Sequence, residues 1–114
     1  MQSELFPIQV IASSTFKKNL KRLAKRYRRI KSDLSPLLEQ LQNRDLPGDR
    51  IKGTNYIIFK VRVRNSDSNK GKRSGYRVIY YLQNHDRILL LSIYSKSDQP
   101  DITKHQIEQI IQSQ

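Results

Sequence analysis

Apolar and polar positions recur with different periods in the two halves of the chain, and that change of period sets the expected fold. Residues 5–12, LFPIQVIA, form an apolar run of strand length, with Pro7 near its start, where a missing N–H is tolerated. Ser13 and Ser14 follow as potential helix caps. From 15 to 31 the apolar residues are Phe16, Leu20, Leu23, Ala24, Tyr27 and Ile30, the spacing of a helix with one inward stripe. Ser32-Asp33 and Ser35-Pro36 then break the pattern. Ser35 as cap and Pro36 at the first helical position predict a second helix. Its inward face is Leu34, Leu37, Leu38 and Leu41, and it should end near Asn43, before Leu46-Pro47-Gly48.

The second half changes to a period of two. Residues 56–64, YIIFKVRVR, end in alternation, with Phe59, Val61 and Val63 on one face and Lys60, Arg62 and Arg64 on the other. A polar loop, 65–75, precedes a strand over 76–83. Asn84-His85-Asp86 reads as a tight turn into 87–95, RILLLSIYS, apolar enough to lie at the sheet centre. The tail 101–112 has Asp101 or Thr103 as cap and a narrow stripe of Ile107, Ile110 and Ile111. The order β-α-α-β-β-β-α, with helices first and strands consecutive afterwards, predicts an α/β (α+β) domain. It should hold a mostly antiparallel sheet of four to five strands, an N-terminal helical hairpin on one face and a short C-terminal helix. At 114 residues one domain spanning 1–114 is expected, with no internal repeat.

Charge changes this picture most. Lys plus Arg number 22 against 10 Asp plus Glu, a formal net charge of +12. A basic excess of this size in a small domain points to a polyanionic partner. Most of the first helix that is not apolar is basic, and where the polyanion is RNA and not an acidic membrane surface, Lys25, Arg26 and Arg29 are among its expected contacts. The absence of Cys removes disulfides and thiolate chemistry. No stretch approaches the roughly 18 apolar residues of a membrane span, and the N-terminus lacks the cationic start of a signal peptide, so the cytoplasm is the expected compartment.

Familiar catalytic patterns are missing. His85 lies in a turn, His105 near a helix start, and neither has a nucleophile or carboxylate partner by spacing. Lys70-Gly71-Lys72 lacks the context of a phosphate loop, and neither metal site nor cofactor site is readable. What remains is a cluster within 60–77: Lys60, Arg62, Arg64, Lys70, Lys72, Arg73 and Arg77, with Tyr56, Tyr76, Tyr80, Tyr81 and Tyr94 around it. Cations grip phosphates, and aromatic rings stack on unpaired bases. RNA also carries its own nucleophile, the 2′-OH. Arg can stabilise the extra charge at phosphorus, and Lys crowded by other cations can exchange protons.

The segments FKVRV at 59–63, KGKRSGYRVIYY at 70–81 and Ile88 to Asp98 resemble the RelE/ParE toxin superfamily. Within it they are most similar to the HigB/RelE-like branch, whose members carry a K-G-K-R-G-G-x-R-[VI]-I-Y-Y loop and strand. The resemblance covers about 10–112. It implies a RelE-like fold and a type II toxin that cleaves mRNA in the ribosomal A site, against ribosomal RNA, without metal. It also implies a cognate antitoxin, expected to be small and acidic, lying over the basic groove or displacing helix 101–112. Carried onto this chain, Lys60, Arg62, Arg73, Arg77 and Lys96 are the implied catalytic set. Arg64, Lys70, Lys72 and Tyr94 are implied RNA contacts. Ser97, and Asp101-Ile102-Thr103, stand where the RelE pattern has an Arg and a Tyr, which leaves the general acid unassigned. Two other readings are a ParE-like, non-catalytic inhibitor of DNA gyrase and an RNA- or ribosome-binding module without turnover.

Overall fold

A computed structural model describes residues 8–68 and 75–114, so the N-terminal start of the first strand and Lys70, Lys72 and Arg73 lie outside the described residues. The chain runs β1 (Gln9–Ala12), α1 (Ser14–Ala24), α2 (Ile30–Gln42), β2 (Asp49–Arg50), β3 (Ile58–Val63), β4 (Tyr76–Asn84), β5 (Arg87–Ser95) and α3 (Lys104–Gln112). The sheet order is β1-β5-β4-β3-β2. Only the β1–β5 pair is parallel, so this is the α+β architecture with the mostly antiparallel sheet that the pattern predicts. The apolar β5 takes the place beside β4 and β1, as its composition requires. The two-residue β2 was not legible from periodicity.

The two faces of the sheet have different covers. Val61, Val63, Tyr76, Val78, Tyr80, Ile88, Leu90 and Ile93 face α1 and α2, whose Phe16, Leu23, Ile30, Leu34, Leu37 and Leu41 close the main core. On the reverse, Ile58, Ile79, Leu89, Leu91 and Tyr94 pack under α3 through Ile107. Alternation lets β5 serve both cores, and a register shift between Ile79 and Tyr80 marks a bulge that reverses its phase, so that Ile93 joins Ile88 and Leu90 on the helix side. α3 begins on a capping box: the Thr103 hydroxyl accepts from Gln106 N–H, and the Gln106 side chain accepts from Thr103 N–H. No helix among the described residues is long and apolar enough to cross a membrane.

The helical hairpin departs from the sequence reading. The first helix stops at Ala24 instead of continuing to 31, and the second begins at Ile30 instead of Ser35. A continuous helix over 14–42 would run about 43 Å. The longest strands have nine residues, about 30 Å, so the chain must fold back somewhere to keep both halves on the sheet, and it does so at 25–29. Pro36 consequently lies inside α2, where its missing N–H and ring clash cost about 3 kcal/mol. Ile30 and Leu34, both almost fully buried, contribute roughly 1.5–3 kcal/mol each, which outweighs that penalty. Side chains also secure the start of α2. Asp67 accepts from Arg29 N–H, and Asp33, in the first turn, accepts from Ser66 N–H.

Core tyrosines give the fold an alkaline limit. Burial, with Asp101 nearby, pushes the Tyr94 hydroxyl up to about 12, and burial raises Tyr76 and Tyr80 in the same direction. Unfolded tyrosines ionise near pH 10, roughly. Stability from these groups is therefore intact below that pH and falls as pH rises through the folded values. In an alkaline titration, tyrosinate absorbance from these residues should appear together with loss of circular dichroism. Full ionisation of the folded protein would contradict their burial.

Candidate functional site

On the reverse face, the part of the sheet that α3 leaves uncovered forms a cleft of about 790 Å³. It is lined by Pro47, Gly48, Asp49, Lys60, Val61, Arg62, Arg77 and Lys96. Pairing builds its floor. Arg62 of β3 is opposite Arg77 of β4, which is opposite Tyr94 of β5. One register step away, Asp49 of β2 is opposite Lys60. Four of the five residues in the implied catalytic set thus converge, and the fifth, Arg73, lies outside the described residues.

Arg77 is the deepest cation, 6 % exposed, and its guanidinium donates to the Tyr76 carbonyl at 3.2 Å. Burial, then repulsion from Arg62, lowers its affinity for the proton, with Tyr94 and Asp101 acting the other way. Like charges directly opposite each other weaken a sheet. The Arg62–Arg77 pair is therefore a local expense of folding that a bound anion would relieve. Arg62 is exposed above it, and Lys96 projects from the turn after β5, with its Nζ donating to the Pro100 carbonyl.

Two carboxylates that sequence reasoning did not place here stand beside these cations. Asp101 Oδ1 accepts from Ile102 N–H at 2.8 Å, Lys60 Nζ at 3.1 Å and the Tyr94 hydroxyl at 3.2 Å. The Ile102 N–H first, then Lys60 and Tyr94, hold this carboxyl below its ordinary value against an opposing effect of burial. Lys60 therefore has an anionic neighbour as well as the cations expected around it. Asp49 forms part of the facing wall. Neither was legible, because they reach Lys60 from a turn and an edge strand remote in sequence.

That wall depends on a close approach. The Tyr80 hydroxyl donates to the Pro47 carbonyl and pins the segment. Gly48 has φ +97°, and a Cβ there would stand 2.4 Å from the Lys60 carbonyl oxygen. Gly48→Ala should therefore cost about 1–3 kcal/mol for the backbone alone, and more for displacing β2. Gly53→Ala shares a positive φ, +82°, but meets only the movable end of Lys104. In urea denaturation the Gly48 variant should show the larger drop in midpoint. Equal drops would mean that the β2 segment does not sit against β3 as described.

The remaining expected contacts are dispersed. The Tyr94 ring belongs to the apolar cluster under α3, and only its hydroxyl serves the site, through Asp101. Tyr76 and Tyr80 are wholly buried, so they offer no ring for stacking, while Tyr56 and Tyr81 pack edge to face on each other. Arg64 is exposed just past β3, in a hollow shared with α2. Arg26 is bound to Asp98 at 3.0 Å and lies over the Tyr27 ring. Lys25 and Arg29 are exposed in the α1–α2 turn. Neither His85 nor His105 lines the cleft, and no cluster of metal-ligating side chains occurs among the described residues.

Against known families, residues 10–100 match the ParE toxin of type II toxin–antitoxin systems. The chain belongs to the ParE toxin family. A ParE-family chain is the toxin half of a type II system and has a cognate antitoxin. The match places this protein in the RelE/ParE superfamily, spans the sheet and the helical hairpin, and ends before α3.

Proposed function

We propose that this toxin is a ribosome-dependent, metal-independent mRNA endoribonuclease of the HigB/RelE-like kind, acting in the cytoplasm. The observation carrying the proposal is the convergence of Lys60, Arg62, Arg77 and Lys96 on one open cleft, with Arg77 buried in its floor. A phosphodiester seated there meets the guanidinium forks of Arg77 and Arg62, which suit the extra negative charge at phosphorus in the transition state. The 2′-oxygen attacks that phosphorus as its proton leaves. The bond to the 5′-oxygen breaks, giving a cyclic 2′,3′-phosphate and a free 5′-hydroxyl. Lys60 and Lys96 are the cleft's proton donors for the leaving oxygen, and Asp49 and Asp101 are its carboxylate acceptors. Lys70, Lys72 and Arg73 of the neighbouring loop, with Arg64, extend the RNA contact, and the ribosome presents the message.

The antitoxin in this reading is acidic. It covers the cleft or displaces α3, whose single deeply buried anchor is Ile107. The test is primer extension on a message in a reconstituted translation reaction. Wild type should give discrete cuts on ribosomes and none on naked RNA, with the antitoxin abolishing them. An intact message at growth-arresting toxin doses would refute the proposal.

The family match favours one other reading, non-catalytic inhibition of DNA gyrase. In it the same cations would bind a partner without turnover. A supercoiling assay decides: relaxed plasmid accumulating with toxin, alongside uncut message, would support the gyrase reading.

A further inference from the structure

We propose that the outward face of α1 is a second nucleic-acid surface, separate from the cleft, which docks on the phosphate ridge of base-paired RNA. The proposal rests on the RNA reading above and adds a surface and a ligand to it. α1 turns Phe16 and Leu23 into the core on the side of the sheet opposite the cleft. Its other side carries Lys17, Lys18, Lys21 and Arg22, with Lys25 immediately after, all exposed. At 100° per residue these five span an arc of about 140°, next to the apolar stripe and without an acid among them. None of them lines the cleft. Among the described residues, the two ion pairs, Arg26–Asp98 and Lys60–Asp101, use none of the five.

Helix energetics oppose this arrangement. Lys17 and Lys18 lie at the N-terminal end, where the helix dipole disfavours cations, and no acid stands in the first turn to compensate. Lys17/Lys21, Lys18/Arg22 and Lys21/Lys25 are like-charged neighbours four residues apart, which also weakens a helix. A solvated face with no partner would be more stable with its charges mixed.

The kind of polyanion follows from what the arc lacks. A protein partner needs apolar or aromatic anchors at the interface centre. Among the described residues the exposed large apolar side chain is Ile57, just before β3, and none lies on α1. A ridge of phosphates needs only cations. Base-paired RNA, the form of the structured ribosomal surface around a decoded message, supplies such a ridge. The cleft on the opposite face is left open for a single strand.

The test compares wild type, the triple variant Lys17→Gln/Lys18→Gln/Lys21→Gln and the cleft variant Arg62→Gln, by anisotropy on a short blunt RNA duplex at several salt concentrations. Each lost phosphate contact lowers the slope of log affinity against log salt by about 0.9. The triple variant should therefore lose about 2–3 in slope and bind at least about tenfold more weakly at low salt, while Arg62→Gln keeps most of the slope. Gln keeps helix propensity and removes repulsion, so the triple variant should melt at or above the wild-type temperature. An unchanged slope would overturn the proposal. So would antitoxin binding that falls while duplex binding holds, which would give the arc to a protein. Tighter binding to a DNA duplex of the same sequence, with the same loss of slope, would overturn the assignment to RNA. If wild type leaves message intact but the slope still depends on α1, the ribonuclease reading fails and the docking surface stands.

Discussion

Arg77→Met should leave the protein folded and lower message cleavage about a hundred- to a thousandfold. The magnitude is that of removing one preorganised donor from a developing negative charge. Methionine is the informative replacement because it keeps much of the volume and the apolar stem, whereas Ala would leave a hollow under Arg62. Removing a buried cation that faces another Arg also removes repulsion. An apolar side chain of similar size also avoids the desolvation cost of a buried charge. The variant should therefore melt no lower than wild type while losing its cuts. Arg77→Lys keeps the charge but not the planar fork, so it should recover only part of the activity. Arg62→Gln, at the exposed rim, should lose less than Arg77→Met. Single-turnover cleavage on programmed ribosomes, with a thermal melt of each variant, reads all three. A folded Arg77→Met toxin cutting at the wild-type rate would remove Arg77 from the mechanism.

The cleft was legible to the extent that one strand could announce it. The alternation of Phe59, Val61 and Val63 with Lys60 and Arg62 fixes which residues leave the core, because two successive residues on a strand cannot share a face. Arg77 joined them as part of the basic cluster within 60–77, its likeness to a known loop-and-strand pattern gave it a role, and pairing across β3 and β4 then sets it opposite Arg62. Asp101 and Asp49 could not be read in this way. Their proximity to Lys60 depends on how the turn before α3 returns over the sheet and on a two-residue edge strand. Tyr76 and Tyr80 were misread for a related reason. A ring suits a base stack and a core equally well, and only the helix cover over β4 decides between them. Arg26 looked like one more free cation because Asp98, its partner, is 72 residues away.

The boundaries of the helical hairpin were misread because local cap chemistry and long-range burial disagree, and substitution can separate them. If α2 begins at Ile30, then Ile30→Ala removes a fully buried side chain from the stripe it shares with Leu34, Leu37 and Leu41. Such truncations cost about 2–5 kcal/mol. In a domain whose total stability is about 5–15 kcal/mol, that should lower the urea midpoint severely, with little change in the slope of the transition. Ser35 sits exposed within α2 in the same arrangement, so Ser35→Ala should be neutral or mildly stabilising, since Ala has the higher helix propensity. A start at Ser35 would reverse the second result: Ser35 would be a cap whose loss costs about 1 kcal/mol, while Ile30 would stay buried in the stripe of a first helix reaching 31. Ser35→Ala therefore measures where the helix begins, and Ile30→Ala measures what its burial contributes. Burial of Ile30 and Leu34 should win over the cap and over the interior Pro36, because the turn it enforces at 25–29 lets both helices cover the same face and leaves the cationic face open.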